Sequence, residues 1–247
     1  VQDGEIYGFL GLNGAGKTTT MNILTGLSGF DSGSCKVLGV NLMPKIRQAL
    51  PGIGYLQENP SFYPFLTARE YLSYIADIKK LPPKEAKRRV EAMLELSGIK
   101  SAANRRIGGY SRGMRQRLGL GAVLLHNPKL IFLDEPTSAL DPEGRQAILD
   151  IVVELKKRGR TVFLSTHLLD DAEKVCDRVG ILQDGKVVLD ETLSILMNRH
   201  LLPIVDIIFE NEPGANVMET LKNIPNIRKI QFKGNSAVAY MSSSKGT

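Results

Sequence analysis

No stretch of this chain approaches the roughly 20 uninterrupted apolar residues that a membrane helix needs. The longest apolar-rich run, residues 118–125, fits a buried helix, so any action at a membrane would run through a partner. Cysteine is nearly absent. Cys35 and Cys176 stand far apart in apolar contexts, which excludes a disulfide framework or a thiolate metal site and suits reduced thiols in a cytosolic protein. The residues after Val1 form neither a charged n-region nor an apolar h-region, so no signal peptide is expected. Internal repeats and low-complexity segments are also missing. The net charge of +6 comes largely from two clusters, Lys79, Lys80, Lys84, Lys87, Arg88 and Arg89, and Arg105, Arg106, Arg112, Arg115 and Arg117. The first of these is interleaved with Glu85, Glu91 and Glu95, as on a solvated helical face. No aromatic-interleaved basic motif accompanies these clusters, so nucleic acid is not an expected partner.

The chain has an apolar fraction of 43% and a charged fraction of 23%, ordinary for a globular protein, and enough length for one large domain with a small appendage. Short β-type runs alternate with longer helical patterns, which predicts an α/β fold with a mostly parallel sheet flanked by helices. Residues 6–10, 34–40, 53–57, 130–133 and 161–165 read as strands. A helix begins near Lys17, with Met21, Ile23, Leu24 and Leu27 at helical spacing. Residues 62–97 are helical in pattern, with Pro82 and Pro83 dividing two helices, and belong to an inserted helical subdomain of about 62–125. Asp184-Gly185 joins 179–183 to 186–189 as a hairpin. Beyond about His200 the character changes. Strand-like runs at 204–209, 227–232 and 236–241 surround a short helix at 215–222 and trail off in 242–247, predicting a small α+β unit over 201–247 after a main domain of 1–200.

Gly11-Leu12-Asn13-Gly14-Ala15-Gly16-Lys17-Thr18 has the spacing G-x-x-x-x-G-K-[ST] between a strand and a helix. Glycines there let backbone N–H groups fold around a phosphate chain, and the helix N-terminus adds partial positive charge. Lys17 supplies a cation for the β- and γ-phosphates, the Thr18 hydroxyl can ligate Mg²⁺, and Thr19 can reach the α-phosphate. The apolar run 130–133 ends abruptly in Asp134 and Glu135. Burying charge without a partner is expensive, so two carboxylates at such a tip point to a purpose. Asp134 suits Mg²⁺, and Glu135 suits the attacking water as base or positioner. A nucleoside triphosphate with Mg²⁺ is therefore the expected ligand.

A phosphate loop leaves many nucleotide hydrolases open; the ordered set of residues after it narrows the choice. Gln57 ends a strand, Tyr110-Ser111-Arg112-Gly113-Met114-Arg115-Gln116-Arg117 opens a helix, Ser138-Ala139-Leu140-Asp141 follows the carboxylates, and His167 follows a strand. Singly, Gln57 is a polar strand end, His167 a surface or capping histidine like His126 and His200, and Asp141 a helix cap. Together and in this order they resemble the nucleotide-binding domain of ABC transporters, over about residues 4–189. That resemblance implies a P-loop hydrolase core and assigns roles. Lys17, Gln57, Glu135 and His167 would be catalytic, and Thr18, Gln57 and Asp134 would serve the metal. Gly11, Leu12, Asn13, Gly14, Ala15, Gly16, Lys17, Thr18, Thr19, Ser111, Gly113 and Asp141 would bind nucleotide. It further implies a head-to-tail pair with a second ATP-binding subunit, a second copy of this chain or a different one, around two MgATP. Separate membrane-spanning subunits would be driven from the cytoplasmic face of the membrane.

Residues 110–117 stand in the place of the family's Leu-Ser-Gly-Gly-Gln signature and depart from its commonest form, with Arg112 where a glycine is usual and Met114 where a glutamine is. Its Tyr-Ser-x-Gly-Met-x-Gln-Arg pattern is similar to a branch of single-domain exporter ATPases for drugs, lipids or polysaccharides. The family stacks adenine on an aromatic residue well upstream of the phosphate loop. Tyr7 lies in the strand leading into that loop and is not that residue, so upstream strands carrying it are expected. Soluble ABC ATPases of DNA repair insert long coiled coils, for which residues 19–110 leave no room, and ribosome-acting ones carry two such domains. A nucleotide switch without turnover would need neither Glu135 nor His167.

Overall fold

Mainly apolar runs of five or six residues become interior strands of one sheet, without polar alternation because both faces are covered. The computed structural model describes residues 1–200, 204–225 and 227–241, which fall into two units, Val1–Thr192 and Leu193–Thr247. In the first, the strands are β1 (Ile6–Leu10), β4 (Ile53–Leu56), β5 (Leu130–Asp134), β6 (Thr161–Thr166), β7 (Arg178–Gln183) and β8 (Lys186–Thr192). They lie in the order β4-β5-β6-β1-β7-β8, all parallel except β8, which returns antiparallel to β7. The structure is thus the mixed, mostly parallel sheet with flanking helices that the alternation predicts.

Register decides where the chemistry can sit. Leu56 pairs with Leu133, Asp134 with Ser165, and Leu10 with Thr166. Gln57, Glu135, His167 and Gly11 therefore leave four neighbouring parallel strands at the same sheet edge. The carboxyl ends of parallel strands are where open α/β sheets bind ligands.

α1 (Lys17–Leu24) follows β1, α6 (Pro142–Lys157) links β5 to β6, and α7 (Leu169–Val175) links β6 to β7. Between β4 and β5 the chain inserts α3 (Ala68–Ile78), α4 (Pro83–Leu96) and α5 (Arg112–Leu124). These three share a core of Leu72, Val90, Leu94, Ile107 and Leu118. The helical pattern read from residue 62 starts six residues later in the structure. Thr67 caps α3 by accepting from Glu70 N at 3.2 Å, while Glu70 Oε2 accepts from Thr67 N at 2.8 Å. This capping box fixes the helix start against the apolar pattern running into it. Thr67→Ala should cost about 1 kcal/mol, read as a lower urea midpoint at unchanged m-value.

Residues 34–40 do not form one strand. Leu38 (φ 51°) and Gly39 (φ 76°) make a left-handed turn between β2 (Lys36–Val37) and β3 (Val40–Asn41), which pair antiparallel outside the main sheet. Two successive residues with positive φ are what a tight hairpin turn requires. α2 (Leu42–Ala49) follows, a helix the apolar pattern did not signal.

In the second unit α8 (Leu193–His200) leads to β9 (Ile204–Ile208), α9 (Ala215–Lys222), β10 (Ile227–Lys233) and β11 (Ser236–Met241). The strands form an antiparallel sheet in the order β10-β11-β9, with Ala237 and Ala239 buried. Phe209 N donates to Asn235 O at 2.8 Å across the sheet end. Residues 201–203 and the trailing 242–247 lie outside the described residues, as does the His200 side chain.

Candidate active site

The turn after β1 is shaped by two glycines. A Cβ on Gly11 would stand 2.7 Å from Leu182 O, so only glycine lets the loop lie against β7. Gly16 caps α1 with φ 109°, a backbone conformation that side chains disfavour. Lys17 is the first residue of α1, and its side chain folds back across the loop. Nζ donates to Gly11 O at 2.7 Å and Leu12 O at 3.2 Å, and stands 3.1 Å from Glu135 Oε1. Both side chains of this ion pair are buried. The other carboxylate oxygen, Oε2, is 2.8 Å from His167 Nδ1.

Glu135 is held in a left-handed conformation, φ 45°, which costs a side-chain-bearing residue roughly 1–2 kcal/mol. Its N–H donates to Ser165 Oγ (3.0 Å) and Ser165 O (3.2 Å). Ser165 Oγ in turn donates to Asp134 Oδ1 at 2.5 Å. One serine on β6 thus holds the Asp134 carboxylate and the Glu135 backbone at the tip of β5. Tyr55 lies beside them and donates to Asn22 Oδ1 at 3.2 Å. Burial pushes its phenol well above the ordinary value, and the charge of Asp134 adds to the rise, so it stays neutral.

Asn13, Gly14, Gly16, Lys17, Thr18, Thr19, Glu58 and Glu135 line a cavity of about 280 Å³. Two features of it suit a phosphate chain with a hard cation. Glu135 Oε1 is buried with no aligned hydrogen bond, only the nearby ammonium. Lys17 spends its protons on backbone carbonyls that a phosphate oxygen would outcompete as an acceptor. Among the described residues no cluster of three or more His, Cys, Asp or Glu could hold a metal unaided. Thr18 lines the cavity, and Asp134, buried one residue before Glu135, does not line it, so the pair fits Mg²⁺ with phosphate oxygens and a bridging water completing its shell.

The other sequence candidates lie elsewhere. Gln57 is exposed one residue past β4 and lines a neighbouring cavity of about 410 Å³, between the sheet and α3 and α5. Ser111 is exposed at the start of α5, where its Oγ accepts from Met114 N at 3.2 Å. Asp141 likewise caps α6, accepting from Gly144 N at 3.1 Å. Neither Ser111, Gly113 nor Asp141 lines the cavity around Lys17. His126 is half-buried, its Nε2 3.0 Å from Ile53 O, and burial lowers its pKa.

The ABC transporter family matches residues 1–138, more than half of the chain. The chain is a member of that family. Within the ABC family it is 48% identical to an uncharacterized ABC transporter ATP-binding protein, YxlF of Bacillus subtilis (strain 168), over 76% of this chain and 61% of the relative. It is 41% identical to the bacitracin transport ATP-binding protein BcrA of Bacillus licheniformis, over 81% of this chain and 65% of the relative. The chain thus spans less than two thirds of either curated relative. Among solved structures, a dimeric ATP-binding cassette in a post-hydrolysis state with ADP and phosphate superposes with a TM-score of 0.71. Identity to it is 26%, with 78% of this chain and 87% of that one covered.

Three polar residues of this ABC domain were not legible as site residues. Ser165 is one of three polar residues on the fully buried β6, with Thr161 and Thr166 at its ends, and a hydroxyl directly after an apolar run is the signal for it. Asp171, fully buried, sits in an Asp-Asp pair that reads as an ordinary helix start. Glu58 follows Gln57 and is the member of that pair lining the phosphate-sized cavity.

Proposed function

We propose that this ABC subunit binds and hydrolyses MgATP as a head-to-tail pair with a second copy of itself, and powers export through separate membrane-spanning subunits from the cytoplasmic face of the membrane. The observation that carries the reading is the Lys17–Glu135–His167 chain at the edge where β1, β5 and β6 end, bordering a phosphate-sized cavity. In the reaction Lys17 leaves the Gly11 and Leu12 carbonyls and Glu135 to take β- and γ-phosphate oxygens. Glu135, released from that cation, accepts the proton of the attacking water. His167 Nδ1 holds Glu135 through Oε2, so Oε1 is the oxygen free for the water. Mg²⁺, held by Thr18 and Asp134, would neutralise charge on the phosphates. Little covalent chemistry is asked of the protein; it positions groups and stabilises charge.

Pairing is supported by what the single chain leaves out of its own cavity. Ser111 and Gly113 sit exposed or half-exposed at the α5 N-terminus, away from Lys17, and can serve another molecule's γ-phosphate. The superposable cassette is dimeric. Gln57 stands in the cavity between sheet and helical insertion, suited to relaying closure to a membrane partner. Among the described residues no helix is long and apolar enough to cross a membrane, so transport would need such a partner. The signature pattern and the bacitracin transport role of BcrA favour export of a drug-like or lipid-like cargo.

Phosphate release from MgATP by the purified chain, sensitive to vanadate, tests hydrolysis; binding without release would reduce the protein to a nucleotide switch. Ser111→Asp tests the pairing. Aspartate still caps a helix, so α5 should persist, but its charge would oppose a γ-phosphate presented by the other copy. Nucleotide affinity of the single chain should hold, while ATP-dependent dimerisation, followed by light scattering, should weaken roughly tenfold or more.

A further inference from the structure

The loop after β5 carries two left-handed residues that are not glycine, Glu135 (φ 45°) and Ala139 (φ 51°). Such conformations persist only where the surroundings over-determine them. Ser165 grips the first from β6. Midway between the two stands Thr137, buried, whose hydroxyl donates to Asp171 Oδ2 at 2.6 Å. Asp171 is itself fully buried on α7, and its Oδ1 takes a charged hydrogen bond from Arg145 Nε, near the start of α6. One carboxylate therefore ties three segments together. The first is the loop that leaves Glu135, the second the helix that Asp141 caps, and the third the helix that begins two residues past His167. Within the loop, Ser138 N bonds back to Glu135 O at 3.1 Å and Leu140 N to Thr137 O at 3.3 Å, so a shift at Thr137 propagates both ways.

Thr137, Arg145 and Asp171 do not line the cavity around Lys17; Glu135 is the point at which the network meets it. A buried carboxylate is costly unless paired and hydrogen-bonded, and here both oxygens are spent on the loop and helix that bracket the catalytic end of β5. We propose that Asp171, acting through the Thr137 hydroxyl, is a positioning residue for hydrolysis: it sets the strained loop from Glu135 to Ala139, and thereby the aim of Glu135. The inference rests on the hydrolytic reading of the site. It assigns neither Asp171 nor Thr137 any contact with nucleotide.

Thr137→Val removes the donor at nearly constant shape and leaves the Arg145–Asp171 ion pair in place, and Thr137→Ser keeps the donor and removes only the methyl. Steady-state phosphate release by the whole chain should give a Thr137→Val kcat about ten- to a hundredfold below the unmodified protein at unchanged KM for ATP, since a misaimed base slows chemistry without loosening the phosphate cradle. Thr137→Ser should keep kcat within about twofold. A valine variant with near-normal kcat, one in which KM rises while kcat holds, or a serine variant as slow as valine would each overturn the proposal, the last because it would make the effect one of packing. The two levels of the argument fail differently. If the unmodified chain releases no phosphate, the hydrolytic reading falls and takes this inference with it. If the chain is active and Glu135→Gln is inactive while Thr137→Val is normal, only the role of Asp171 is lost.

Discussion

Glu135→Gln should release phosphate about 10²- to 10⁴-fold more slowly than the unmodified chain and accumulate, with MgATP, as a long-lived dimer. The amide keeps the shape of the side chain but cannot accept the water's proton. The direction of the binding change separates this account from simple damage to the site. In the structure Glu135 Oε1 lies 3.1 Å from the Lys17 ammonium, where a phosphate oxygen would otherwise be bound. Nucleotide binding has to break that pair. The variant no longer neutralises Lys17, so ADP, which does not drive pairing, should bind the single chain at least as tightly as before. Near-normal turnover would remove Glu135 from its role; weaker ADP binding would show that the carboxylate supports the cradle and does not compete with the ligand.

Lys17→Ala should lose at least roughly 10- to 150-fold in ATP affinity, the worth of one hydrogen bond between charged groups. It should also destabilise the protein with no nucleotide present, because Glu135 stays buried with its cation removed and only His167 beside it. Leaving one partner of a buried pair alone costs up to about 3–5 kcal/mol. Adding Glu135→Gln to Lys17→Ala should therefore recover thermal stability without recovering ATP affinity. Isothermal titration and thermal melts on the two variants read both effects. An ATP titration unaltered by Lys17→Ala would end the phosphate-loop assignment.

Much of the sheet was legible because its strands are short apolar runs ended by turn residues: β1, β5 and β6 each stop within a residue of the read limits. The hairpin at Asp184-Gly185 was equally plain, since Asp184 (φ 49°) and Gly185 (φ 75°) adopt the turn their identities favour. The 34–40 segment misled because Val37 and Val40 look like one strand until the positive φ at Leu38 reverses the chain. At the site, residues whose chemistry is local could be read: the glycine loop, Lys17, and the carboxylates at a strand tip. What could not be read are residues that matter through distant partners. Ser165 reaches Asp134 only because their strands are neighbours in register, and Asp171 finds Thr137 across 34 residues of chain. Spacing along one sequence carries no trace of those meetings. Within the adjacent pair, Glu58 lines the cavity around Lys17 and Gln57 lines the neighbouring one.

The claim on which the rest depends is that each ATP site is built from two chains, Lys17 and Glu135 from one and Ser111 from the other. Mixing two inactive variants tests it directly. Lys17→Ala alone leaves no cradle able to hold nucleotide, and Ser111→Asp alone sets a carboxylate against every γ-phosphate. A mixed pair contains one complete site, the intact cradle of the Ser111→Asp chain facing the intact Ser111 of the Lys17→Ala chain. Phosphate release should therefore return when the two purified variants are combined. A mixture as inactive as its parents, or a Ser111→Asp chain fully active alone, would contradict the composite site.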